Sequence, residues 1–229
     1  MAGKKIPSIE GNLRKHMVFV PEAIRQVSGI RIFGKRIKSL VFSTDVAIIR
    51  NCNADAVIAV YPFTPQPIIT HSIISCSDLP VFCGVGGGTT RGKRVVNLAE
   101  DAEFQGAMGV VVNAPTSNET IAALREKIDI PVVLTVVSEA EDIEERIRAG
   151  AQILNVSGAA KTAEIVMKIR DRHPDIPIIA TGGPTNESIL KTIEAGANAI
   201  TFTPPTNGEI FKTMMKKYRM EKEDRYDVD

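Results

Sequence analysis

The residues with the clearest chemical potential are the glycine pair Gly182 and Gly183. They close the apolar run Ile176-Pro-Ile-Ile-Ala-Thr181, and a helix start follows near Asn186. Two residues without side chains let backbone amides approach a ligand closely, and the first turn of a helix presents unsatisfied N–H groups and partial positive charge. That chemistry suits an anion, above all a phosphate. Ser157-Gly158 and Thr203, which end neighbouring apolar runs, are candidate donors to the same group.

A second chemically loaded stretch is Cys83-Gly-Val-Gly-Gly-Gly-Thr-Thr-Arg-Gly-Lys93. Gly87, Gly92 and Lys93 have P-loop spacing, but Arg94 stands where a Ser or Thr would hold magnesium, which argues against an NTPase. The reading is instead a mobile lid, with Arg91 and Lys93 closing over an anionic substrate. Asp45, after Ser43-Thr44, is the carboxylate directly at a strand end and the candidate general base, although helix N-capping would use it equally well. Asn155 is a polar side chain inside an apolar strand and needs a partner; it, Asn113, Tyr61 and Thr135 are candidates to orient a substrate. The catalytic pair is therefore Asp45 and Lys93, with Ser157, Gly158, Gly182, Gly183, Thr203, Arg91, Asn113 and Asn155 binding substrate or phosphate.

These residues must be positioned by a repeat. Gly106, Gly150 and Gly196 each follow a helical stretch and precede Ala and a β-branched run, at intervals of 44 and 46 residues. Pro80, Pro131 and Pro177 open the intervening strands. Strands are expected at 39–43, 56–61, 81–84, 109–113, 132–136, 153–157, 178–181 and 199–203, each a near-continuous Val/Ile/Leu run of the kind a parallel strand buried on both faces requires. Eight βα units close into a single (β/α)8 TIM barrel over residues 39–220, and barrel chemistry lies on the loops after the strands. Thr116-Ser-Asn-Glu119 and Ser138-Glu-Ala-Glu141 read as capping boxes. Glu144, Glu145, Arg146 and Arg148 read as a solvated helix face.

Residues 1–38 lie outside the repeat and carry nine Lys/Arg (Lys4, Lys5, Arg14, Lys15, Arg25, Arg31, Lys35, Arg36, Lys38) against Glu10 and Glu22. A short helix over 21–28, an extended stretch at 30–33 and a turn at Gly34 make this basic arm either a plug on the barrel bottom or a contact in a homo-oligomer. Residues 221–229 are expected to be a frayed charged tail. At 229 residues and net charge +1, the chain can fill a full core and carries no global field for nucleic acid. No run reaches 18 apolar residues and no leader is visible, so the reading is a cytoplasmic protein without membrane contact. Cys52, Cys76 and Cys83 have no paired spacing, and no His/Asp/Glu cluster has metal-ligand spacing, so no metal and no required cofactor are expected.

The run from Ile176 to Thr206, with its paired glycines, Glu194-Ala-Gly-Ala-Asn-Ala-Ile200 and a Thr-rich last strand, resembles the phosphate-binding (β/α)8 barrels. Those include the keto-deoxy-phosphogluconate aldolases, thiamine-phosphate synthases, N-acylmannosamine-phosphate epimerases and indoleglycerol-phosphate synthases. The resemblance implies a phosphorylated small-molecule ligand and a lyase, synthase or isomerase working by proton transfer. Departures are plain: Ile153-Leu-Asn-Val-Ser157 lacks the Schiff-base lysine, no Lys/Glu pair suits an epimerase, and Gly158-Ala-Ala-Lys161 lacks the histidine of many FMN barrels. A non-catalytic sensor and an FMN-binding barrel are the alternatives.

Overall fold

The computed structural model describes residues 7–9, 11–12 and 16–226. Lys4, Lys5, Arg14 and Lys15 of the basic arm and residues 227–229 of the tail lie outside the described residues. After a 3-10 turn at Glu22–Gln26, strands β1 (Ile30–Ile32) and β2 (Lys35–Ile37) form an antiparallel hairpin. Its two-residue turn puts Phe33 and Gly34 at φ 45° and 82°. Positive φ at both central residues matches the right-handed twist of the strands they join.

Eight strands follow: β3 (Ser39–Phe42), β4 (Ala56–Ala59), β5 (Val81–Gly86), β6 (Gly109–Val112), β7 (Val132–Val136), β8 (Ile153–Val156), β9 (Ile178–Thr181) and β10 (Ala199–Phe202). All pair in parallel, and β10 returns to pair β3, closing the barrel. The chain is thus a (β/α)8 barrel. Helices α1 (Val46–Arg50), α2 (Pro67–Cys76), α3 (Lys93–Phe104), α4 (Asn118–Lys127), α5 (Ile143–Ala149), α6 (Thr162–Arg172), α7 (Asn186–Glu194) and α8 (Asn207–Tyr226) alternate with them. The last of these is helical through Tyr226, so residues 221–226 of the expected frayed tail continue a helix.

Strand alternation divides the apolar residues into two sets. Val41, Val57, Val110, Leu134, Leu154 and Ile178 face the helices, where Ile121, Leu124, Ile165 and Ile189 meet them. Leu40, Ile58, Phe82, Val111, Val133, Ile153 and Ile179 fill the lumen. Ile30, Ile32 and Ile37 of the hairpin belong to this second cluster. Three isoleucines of the hairpin thus pack with the lumen side chains, and burying each contributes about 1.5–3 kcal/mol.

Asp55 ties the segment around the hairpin to β3. Its Oδ2 accepts Lys38 N–H (2.9 Å), Ser39 N–H (3.0 Å) and Ser39 Oγ–H (3.0 Å), and its Oδ1 accepts Arg25 Nη1–H at 3.0 Å. Burial pushes this carboxyl up, but the four donors outweigh it and hold Asp55 below the usual carboxylate range.

Helix ends depart from the sequence reading in instructive places. The α4 N-cap is Ser117 and the α5 N-cap is Asp142, so neither expected capping box forms. Thr116 is drawn into the interior and Glu141 pairs with Arg146. Arg146 is likewise no solvated residue: it donates to the carbonyls of Ala114 (3.0 Å) and Thr116 (2.6 Å) and to Asn118 Oδ1 (2.8 Å), stapling the loop after β6. Gly150 caps α5 at φ 121°, as expected for a residue without a Cβ.

Replacing Asp55 by Ala is expected to cost about 2–3 kcal/mol at neutral pH, measured by urea denaturation, because several donors lose a charged acceptor. A carboxyl lowered by folding stabilises above its unfolded value, about 3.9, and that contribution disappears as pH falls through the folded value. The stability gap between the wild type and Asp55→Asn should therefore narrow below about pH 4; a gap that stays constant into acid contradicts this role.

Candidate functional site

The hairpin isoleucines pack at the end where the strands begin, so the open end is the one where the strands finish. Continuing each lumen row by two residues gives the side chains that face the mouth. Ile58 leads to Val60, Phe82 to Gly84, Val111 to Asn113, Val133 to Thr135, Ile153 to Asn155 and Ser157, Ile179 to Thr181, and Ala199 to Thr201 and Thr203. The crown from β7 to β10 is polar and uncharged.

Strand register sets these groups side by side: Thr135 pairs Asn155, and Thr181 pairs Thr201. Asn155 Nδ2 donates to Thr135 Oγ1 at 3.3 Å, and Thr181 Oγ1 donates to Ser157 Oγ at 3.2 Å. Among the described residues Asn155 Oδ1 and Thr201 Oγ1 have no partner, although Asn155 is 8% and Thr201 6% exposed. Unpaired buried polar atoms cost free energy and ask for a partner, and these two lie at the open end of the barrel.

The sequence-named residues fare differently. Asn155 and Ser157 are in the crown. Asn113 lies at the mouth end of β6, its N–H held by Gly86 O at 3.0 Å. Gly182 has a packing role in place of an anion-binding one: a Cβ there would lie 2.7 Å from Ile200 Cγ2 and 2.8 Å from Ile189 Cγ1, and its N–H points to Thr201 O. Gly158 is similar, its N–H taken by Thr162 Oγ1 at 3.0 Å and its Cα side facing Ile165. Gly183 is exposed at φ 79°, and with Thr203 it lines a cavity of about 710 Å³. Glu209 lines that cavity too, and hydrogen bonds from the Thr206 N–H and hydroxyl lower its pKa and keep it ionised. The α7 start is already satisfied by a Thr185/Ser188 capping box. An anion at this end faces a carboxylate and a helix terminus that has closed on itself.

Asp45 is the N-cap of α1, its Oδ1 accepting Ala47 N–H (2.8 Å) and Ile48 N–H (3.2 Å). The α3 start differs from α7: its N-cap is Gly92 at φ 58°, with no side-chain cap, and the exposed Arg91, Lys93 and Arg94 surround it. Arg91 Nε donates to Gly88 O at 2.9 Å. The expected lid is anchored at its base. A bulge lengthens β5 to Gly86, Gly87 N–H bonds Thr90 O at 3.1 Å, and a Cβ on Gly87 would lie 2.5 Å from Asn113 N and Thr116 Oγ1. Cys83 faces the helices, and burial pushes its thiol up to about 12, which removes it as a nucleophile.

Thr181 and Thr201 were missed by the sequence reading. Their signal was available in the alternation that begins with the lumen residues Ile179 and Ala199.

No family model and no curated protein sequence matches this chain. Solved structures do match. Its fold is similar to that of 2,3-dimethylmalate lyase, a PEP mutase/isocitrate lyase superfamily member (TM-score 0.60, 16% identity, covering 89% of this chain and 85% of that one). It is also similar to 4-hydroxy-tetrahydrodipicolinate synthase from Methylacidiphilum fumariolicum SolV (0.59, 13%, 74% and 68%). A third is phosphonopyruvate hydrolase in complex with oxalate and Mg++ (0.58, 13%, 84% and 83%). At these identities the likeness establishes the barrel; it does not extend to the aldolase, epimerase or thiamine-phosphate synthase families of the sequence resemblance.

The third neighbour overturns the expectation that no cofactor is required, since a barrel of this shape is solved with a metal ion. Magnesium favours carboxylate oxygens and water. Among the described residues no group of three His, Cys, Asp or Glu is placed to hold a metal, and the crown consists of hydroxyls and amides. This donor set does not fit a carboxylate-held Mg2+. Among the described residues no helix is long and apolar enough to cross a membrane.

Thr201→Val removes an unpaired hydroxyl at nearly constant volume. The ligand-free variant should be as stable as the wild type or more so, by up to about 1 kcal/mol in urea denaturation, while losing ligand-induced stabilisation. A large destabilisation would mean that the hydroxyl is already satisfied.

Proposed function

We propose that this barrel binds a phosphorylated small metabolite at its open end and acts on it by lyase or synthase chemistry. The observation that carries the reading is the pair of unpartnered, buried atoms Asn155 Oδ1 and Thr201 Oγ1 in an otherwise polar, uncharged crown. These atoms, with Thr135, Thr181 and Ser157, orient the body of the ligand. The anionic group is assigned to Arg91, Lys93 and the uncapped α3 amides, because Glu209 and the closed α7 cap oppose it on the β9–β10 side. Asp45, with Oδ1 committed to α1, offers Oδ2 as the proton acceptor. The lyase and synthase folds among the structural neighbours support the reaction class by analogy of fold.

A second reading, a non-catalytic sensor, is favoured by one feature: the crown contains no Lys, His, Asp or Glu. Turnover separates the two. Phosphorylated metabolites that stabilise the protein against heat are incubated with it and followed by mass spectrometry. Conversion that Asp45→Asn abolishes supports the enzyme, and saturable binding without conversion supports the sensor.

For inorganic phosphate, Arg91→Ala and Lys93→Ala should each weaken binding about tenfold, the scale of one charge-assisted contact, while Thr203→Val leaves it unchanged. The opposite ranking in titration calorimetry would return the anion to the loops after β9 and β10.

A further inference from the structure

The mouth is chemically two-sided. Opposite the polar crown, the ends of β4, β5 and β6 enclose a cleft of about 260 Å³ whose walls include Tyr61, Phe63, Gly84, Gly86 and Val111. One wall includes backbone: Gly84, Gly86 and Gly88 line it, and the β5 bulge turns the Cβ direction of Gly86 away toward Val95 of α3. Even a methyl group at Gly84 would press Val60 Cγ2 at 3.2 Å and Ala59 O at 3.3 Å. The same cleft is lined by the aromatic side chains Tyr61 and Phe63, on a stiff segment. Gln66 N–H donates to the Tyr61 hydroxyl at 2.9 Å, which holds the ring, and Pro62, Pro65 and Pro67 restrict the segment. Phe63 is 75% exposed beside this cleft, a large apolar surface with nothing packed on it.

Flat backbone and preset aromatic rings lining one cleft suit a planar group. Peptide planes and aromatic faces both present extended surfaces that a ring covers without displacing side chains, and aromatic pairs gain beyond the area they bury. Asn113 borders the same cleft with an amide suited to a heteroatom or polar substituent at the ring edge.

We propose that the ligand carries a planar ring in addition to its phosphate, and that the ring sits between Tyr61–Phe63 and the glycine edge of β5. This deepens the phosphometabolite reading and rests on it. Phe63 is then a specificity-determining contact, and the β4–α2 segment, which the sequence analysis passed over apart from Tyr61, selects the substrate.

Two matched pairs of probes test this by titration calorimetry: AMP against ribose 5-phosphate, and phenyl phosphate against inorganic phosphate. The ring-bearing member of each pair should bind about tenfold more tightly. Phe63→Ala, an exposed substitution, should erase that advantage and leave the ringless probes unaffected. The chain has no tryptophan, so Phe63→Trp supplies a single reporter whose emission should respond to the ring-bearing probes alone. Equal affinity within both pairs overturns the ring assignment and leaves the phosphate reading standing. Tighter ring binding that ignores Phe63→Ala, with no emission change in the Phe63→Trp variant, also overturns it, because the ring then lies elsewhere. If none of the four probes binds, the phosphate reading falls and this inference with it.

Discussion

The pairing of β10 with β3 is the constraint on which everything else rests. Once the sheet closes, every strand is interior, every row of side chains must choose between lumen and helix layer, and no edge remains to be covered. The lumen of this barrel is filled by side chains that include three hairpin isoleucines, with Asp55 holding the hairpin root to β3. One end is therefore spent on stability. The other is left to face solvent with groups that the lumen rows happen to deliver there.

What those rows deliver is uneven. From β7 to β10 they end in Thr, Asn and Ser, and from β4 to β6 they end in Val, Gly and Asn, with aromatic residues just beyond. Among the described residues the polar half leaves two buried atoms unpaired, while the apolar half has glycine backbone and an exposed phenyl ring along its cleft. Both halves hold unmet interactions of a kind that a ligand would complete. The cationic groups sit away from the β9–β10 side, on the loop into α3, part of which also lines the apolar half. Helix termini explain the separation: α7 satisfies its first amides with Thr185 and Ser188, whereas α3 begins at a glycine without a side chain to offer.

The barrel itself was legible because its signals are local and repeated. Glycines such as Gly150 end helices by allowing positive φ, and unbroken Val/Ile runs announce strands buried on both faces; the observed strands lie within two residues of the expected ones. Capping was less legible. Thr116 and Ser138 have the spacing of a cap, but Thr116 is packed against Gly87 and Asp142 accepts the Glu145 N–H at the α5 start, so both helices begin later than their cap signals.

From its residues alone, this protein determined its strand periods, the count of its βα units, its basic N-terminal hairpin and the polar identity of Asn155 and Ser157. Only the tertiary structure decided what the glycines do. Gly182 and Gly158 read as openings for an anion, yet Ile200, Ile189 and Ile165 lie against them, and Gly84 and Gly86, which line the cleft, have Val60 and Val95 where a Cβ would be. The physical reason is that a missing side chain is an invitation to close approach, and the chain by itself does not say who approaches: a core isoleucine, a crossing backbone or a ligand.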